Sequence, residues 1–250
     1  MRGLMSHTPA SSTHVDGSQF AATRWSMVIA AGGESGVQRR RALEELARAY
    51  WVPLYAFIRR RGVGASEAED LAQGFFAQLL EKNSLASVDR ELGKFRSFLL
   101  ASLKNFMADE WDKGRRQKRG GGVKVVAIDA LDAEERYGAA SADDMTPERL
   151  FAQRWALAVL DQVMARLRQT YQERGQGELL EALMGSIAGG AGAVGYAEIG
   201  RRLSMTEGAV KMAAHRLRGE YRKILREEIG ETVSDPAMID EEIKFLMDSL

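Results

Sequence analysis

Lys211, His215, Arg218 and Arg222 recur at spacings of three and four within the stretch TEGAVKMAAHRLRGEYRKILREE, residues 206 to 228. Val210, Ala214, Leu217, Tyr221, Ile224 and Leu225 take another side of the same stretch. The spacing predicts one amphipathic helix with an apolar seam and a basic face. Between Arg201 and Arg226 there are eight Lys or Arg against Glu207 and Glu220, a local excess of six in a chain whose 35 Lys and Arg balance 35 Asp and Glu. Such a row of cations is either a solvated face or a surface for nucleic-acid phosphates and base edges. The preceding residues favour the second reading. YAEIGRRL reads as a short helix, Ser204, Met205 and Thr206 as a turn, and Thr206 as the N-cap of the long helix. This is helix-turn-helix spacing, which seats the second helix in a major groove about 12 Å wide.

A second basic cluster, Lys113, Arg115, Arg116, Lys118 and Arg119, holds five cations and no acid. It ends a predicted helix that carries Asn105, Phe106 and Trp111. Backbone phosphates suit the cations, and an aromatic face suits an unstacked base. The same residue types also serve a helix C-terminus and a hydrophobic core. Other chemistries find little material. There is no cysteine, which excludes disulfides, thiolate zinc sites and cysteine nucleophiles. The three histidines are His7, His14 and His215, so no pair has metal-ligand spacing. Gly120 to Gly122 are followed by Val123, which is no phosphate-binding loop, and Asp143 with Asp144 falls in a polar connecting stretch. Neither a catalytic centre nor a metal or cofactor site is expected.

The elements that position these groups are helical throughout. At 250 residues with 45% hydrophobic composition, against a usual domain of roughly 150 residues, the chain has room for one large or two small domains. Residues 1 to 22 lack periodicity and read as a disordered leader. Apolar positions from Leu43 to Ile58 define a helical face over 38 to 60, with Pro53 expected to bend it. Ser66 with Glu69 resembles a capping box ahead of Leu71, Phe75, Phe76, Leu79 and Leu80. A third helix is predicted over 93 to 113. Residues 120 to 145 turn to Gly, Ala and acids, with one short strand-like run, VKVVAI, and read as a flexible linker. Thr146 and Pro147 then make an N-cap and first helical position for a stripe running from Leu150 to Leu167. The expectation is an all-α chain of two helical domains, 23–119 and 146–230, the second ending in the helix-turn-helix. A short helical extension, 231–250, follows.

Three quoted segments carry a family resemblance. RRRALEELARAYWVPLYAFIRRRGVGASEAEDLAQGFFAQLLEKN, then GKFRSFLLASLKNFMADEWDKGRRQKRGGG, then YAEIGRRLSMTEGAVKMAAHRLRGEYRKIL resemble, in order, three parts of extracytoplasmic-function sigma factors of bacterial RNA polymerase. These are the core-binding, downstream promoter-reading and upstream promoter-reading parts, and the resemblance covers about residues 24 to 230. The acidic C-terminal tail is similar to a subgroup with a C-terminal extension. The resemblance implies a factor that binds RNA polymerase core and directs promoter-specific initiation, leaving catalysis to the polymerase. It implies that Glu69, Asp70 and Gln73 hold the polymerase largest subunit. Asn105, Asp109, Arg115 and Arg116, with Lys118 and Arg119 beside them, would melt and read the minus-10 element. Lys211, His215, Arg216 and Arg218, on the helix that Thr206 opens, would read the minus-35 element. Where the family pattern has an acid, this chain has Gly74, so restoring a charge there is expected to tighten core binding. The alternative is a helix-turn-helix repressor or activator that acts on DNA without joining the polymerase.

The tail from Glu231 to Leu250 has six acids against Lys244, a balance of minus five directly after the basic stretch. Two roles suit it: masking the basic helix from DNA, or packing through Ile239, Ile243, Leu246 and Met247. No apolar run approaches the roughly 18 residues of a membrane span, and the first twenty residues lack the pattern of a secretory signal. A cytoplasmic protein with promoter DNA and polymerase core as partners, and no membrane partner, is the expectation.

Overall fold

In a computed structural model, residues 36–81, 93–116, 145–187 and 195–250 are described. Among them the chain is all-helical, with no β-strand. The helices are α1 (Gly36–Arg60), α2 (Ala65–Glu81), α3 (Phe95–Arg116), α4 (Pro147–Glu173), α5 (Gly177–Ile187), α6 (Tyr196–Arg202) and α7 (Glu207–Gly230). A 3-10 turn (Pro236–Met238) and α8 (Ile239–Asp248) end the chain. The leader, the VKVVAI run, Lys118 and Arg119 lie outside the described residues.

The apolar periodicity becomes burial. Along α1, Leu46, Ala47, Tyr50, Trp51, Leu54, Tyr55 and Ile58 are buried, and the helix continues through Pro53. Trp51 stacks on Phe76 of α2 with ring centroids 5.9 Å apart, and Tyr50 meets Phe95 of α3 edge-on at 5.4 Å, geometries that aromatic quadrupoles favour. The start of α2 differs from the capping-box expectation. The Ala68 amide donates to the Gly64 carbonyl at 2.8 Å, so the helix opens at Ala65 and Ser66 lies inside its first turn. Glu69 instead accepts a 3.0 Å hydrogen bond from Gln73 one turn on.

Helix α4 starts as its sequence dictates. Thr146 Oγ1 accepts from the Arg149 amide at 3.2 Å, and Pro147 takes the position whose amide needs no partner. Its buried stripe, from Leu150 and Phe151 through Trp155, Val163 and Leu167 to Tyr171, packs against both α1 and α7. Buried residues of α1 to α3 and of α4 to α8 therefore belong to one continuous hydrophobic cluster. Burial of this kind contributes roughly 25 cal/mol per Å2 of apolar surface.

The C-terminal segment ties this cluster together. Lys94 and Val233 form an antiparallel bridge, framed by Phe95 N donating to Thr232 O and Ser234 N donating to Gly93 O, both at 3.0 Å. The first amide of α3 thus finds its acceptor in the tail, because a helix N-terminus leaves such donors without intrahelical partners. Asp235 caps the 3-10 turn through Ala237 N at 2.9 Å. In α8, Leu246 and Glu242 are fully buried, while Met247 of the expected apolar face is exposed.

Candidate nucleic-acid interface

The joint between α6 and α7 is held by three features. Gly200 packs so closely on the turn that a Cβ there would lie 2.6 Å from the Met205 carbonyl oxygen. Ser204 takes a positive φ of 53°, a left-handed conformation that costs a non-glycine residue about 1 to 2 kcal/mol. Thr206 Oγ1 accepts from the Ala209 amide at 3.2 Å and starts α7. The turn is then short and its geometry fixed, which sets the angle at which α7 leaves α6.

Val210, Ala213, Ala214, Leu217, Ile224 and Leu225 bury one face of α7. The opposite face exposes Lys211, Met212, His215, Arg216 and Arg222. His215, Arg216 and Arg222 make no hydrogen bond or ion pair to another described residue, so their donors face outward. Lys211 pairs with Glu207 one turn back at 2.8 Å, and this hydrogen-bonded carboxylate raises the lysine pKa. Arg218 is placed differently from these four. It is half-buried and donates to Tyr196 Oη at 2.9 Å, bracing α7 against α6. Arg174, the C-cap of α4, grips Glu220 through two hydrogen bonds of 2.8 and 3.0 Å, withdrawing that acid from the basic face.

On α3, Asn105 and Asp109 are exposed one turn apart. Arg115 and Arg116 lie in the last turn of the helix. Trp111 is 40% exposed, and the Arg61 guanidinium lies 5.3 Å from its ring centroid, within cation–π range. Phe106, by contrast, is core, in contact with Phe75 at 5.8 Å. Of the residues that the resemblance gives to the two promoter elements, the described ones thus lie on separate helices, α3 and α7 with its N-cap Thr206, whose buried residues share one hydrophobic cluster.

The three residues of α2 assigned to polymerase contact do not share an environment. Asp70 is exposed, Glu69 is half-buried, and Gln73 is only 7% exposed. Gly74 faces inward: a Cβ there would meet Phe106 Cζ at 3.2 Å. Its lack of a side chain lets α2 approach α3, which replaces the expectation that the position faces a partner.

Comparison with protein-family models, curated proteins and solved structures finds no match.

Among the described residues no group of three His, Asp or Glu side chains is arranged to hold a metal ion, and no helix is long and apolar enough to cross a membrane. Sequence reasoning did not single out Tyr196, Met212, Arg96 or Glu242. Met212, 59% exposed beside Lys211, was legible as an apolar residue off the buried seam. Glu242 was legible too, since it shares the spacing of Ile239, Ile243 and Leu246 and so lies on an otherwise apolar stripe.

Proposed function

We propose that this chain is a sigma factor that joins bacterial RNA polymerase core and directs it to particular promoters, with α6 and α7 acting as a helix-turn-helix for the upstream element. The observation that carries the reading is the outward basic face of α7, with Lys211, His215 and Arg216 exposed behind a turn fixed by Gly200, Ser204 and Thr206. Its cations suit phosphates and base edges in a major groove. The exposed Asn105 and Asp109 of α3, with the basic end of that helix, suit the downstream element, and the partly exposed Trp111 ring, with Arg61 over it, is of the type that stacks on an unstacked base. Glu69 and Asp70 on α2 would form the acidic contact to the polymerase. In this reading residues 23–119 and 146–230 are the two promoter-reading modules, the protein works in the cytoplasm, and bond-making belongs to the polymerase.

The test is reconstitution of purified full-length protein with bacterial core polymerase on promoter templates. A discrete run-off transcript that depends on the chain supports the reading. Specific duplex binding without any transcript selects the repressor or activator alternative. Failure of both overturns the nucleic-acid reading.

A further inference from the structure

We propose that residues 231–250 are a latch that holds the two promoter-reading modules closed on one another, and that the latch has to release before both promoter elements are contacted together. The inference rests on the sigma-factor reading for its consequence, but the latch itself stands on contacts.

The tail reaches both halves. Toward the first, Glu242, with a side-chain exposure of 0%, receives Arg96 at 2.5 and 3.1 Å and Lys94 at 3.5 Å. Lys94 also meets Glu241 at 2.7 Å. The Arg96 guanidinium lies 3.5 Å from the centroid of the Phe245 ring, and 5.3 Å from that of Trp155 in α4. The Lys94–Val233 bridge adds backbone hydrogen bonds. Toward the second half, Asp240 pairs with Arg226 of α7, Ile239 lies against Gly230, and Phe245 packs on Trp155 at 6.0 Å. Asp240, Glu241 and Glu242 therefore neutralise Arg226, Lys94 and Arg96, which lie outside the set assigned to base reading. The tail acts by joining the modules, in place of covering the recognition face.

Closure matters because of length. By their names the two elements lie about 25 base pairs apart, which at about 3.4 Å per base pair is about 85 Å. A compact chain of this size has a radius of gyration of about 18 Å and so spans about 45 Å. One closed body cannot cover both sites. Separation also uncovers apolar surface between α1 and α4, so the latch and that packing together set how often the free chain opens, and polymerase core shifts the balance by binding the open form preferentially.

The absence of native cysteine allows a direct test. Lys94 and Val233 are the non-hydrogen-bonded pair of their bridge, where Cα atoms approach to about 4.5 Å, within the range that a disulfide spans. In full-length protein carrying Lys94→Cys and Val233→Cys, the oxidised form should yield at least tenfold less run-off transcript with core polymerase than the same sample reduced with dithiothreitol. Equal yields from a quantitatively oxidised sample overturn the latch. In parallel, small-angle scattering on Glu242→Lys should give a larger radius of gyration than wild type, with the oxidised cysteine variant at the wild-type value. A helical Glu242→Lys variant of unchanged radius also overturns it. Should wild-type protein give no transcript, the sigma-factor reading fails and the scattering result still decides whether the latch exists.

Discussion

Gly200 sits so close to Met205 that a single added carbon would lie 2.6 Å from the Met205 carbonyl oxygen. The obstacle is backbone, so it cannot rotate aside as a side chain would. Gly200→Ala must therefore push α6 away from the turn, at a cost typical of overpacking, about 1 to 3 kcal/mol. The propensity gain of alanine in a helix, about 1 kcal/mol, offsets part of this. A lowered thermal midpoint together with weaker promoter binding is the expected outcome. A variant as stable as wild type would mean that the turn is more yielding than its packing implies.

Arg216 and Arg218 are two positions apart on α7 but have separate tasks. Arg216 is exposed and faces outward, whereas Arg218 donates to Tyr196 Oη at 2.9 Å. Arg216→Ala should leave stability unchanged and weaken DNA binding. For a phosphate contact, the slope of log affinity against log salt should also fall by about 1. Arg218→Ala should instead lower stability by about 1 kcal/mol through the lost hydrogen bond and packing, and Tyr196→Phe should reproduce the hydrogen-bond part. Titrations at several salt concentrations, paired with thermal melts, separate the two. Equal loss of DNA affinity from Arg216→Ala and Tyr196→Phe would refute the division.

Gly74→Glu distinguishes packing from partner contact on α2. An acid at this position was expected to strengthen the polymerase-facing patch beside Glu69 and Asp70. The structure puts the new Cβ 3.2 Å from Phe106 Cζ, tight enough that the ring must move, and sets the first methylenes of a charged side chain against the α2–α3 contact. A stability loss of about 1 to 2 kcal/mol is expected, read by chemical denaturation, with no gain in affinity for polymerase core. Tighter core binding without loss of stability would restore the original expectation.

Helix existence was legible because periodicity is local. The stripes ending at Ile58 and Leu167 each announced a buried face, and Thr146 and Thr206 announced their helix starts with the hydrogen bonds later found. Partner choice was not legible. An apolar stripe states that a face is buried, without stating against what, so the packing of α4 on α1 had no local signal. The Ser66 and Glu69 pattern misled for a similar reason: Gly64 supplies the first carbonyl, and Glu69 finds Gln73 within reach. At the candidate interface, spacing separated the basic face from the seam but could not tell that Arg218 leans onto Tyr196, a contact 22 residues apart in sequence.

The Arg96–Glu242 pair gives the energetic prediction for the tail. Glu242 is wholly buried and Arg96 nearly so, and the guanidinium is flanked by the Phe245 and Trp155 rings. Both charges were taken from water, so removing one strands the other. Glu242→Ala should destabilise the protein by about 3 kcal/mol, more than the roughly 1 kcal/mol of an exposed pair such as Lys104–Glu148. Replacing both partners with methionines, Arg96→Met with Glu242→Met, removes both desolvation costs and fills similar volume with apolar atoms. The double variant should recover most of the loss, as buried pairs exchanged for apolar ones commonly do. Lys94 keeps its contact with Glu241 at 2.7 Å, so the exchange does not orphan it. Denaturation of Arg96→Met, Glu242→Met and the double variant gives the coupling energy. Additive losses, with the double variant the least stable of the three, would show that the two side chains act independently and that the charge pair is not what seats α8.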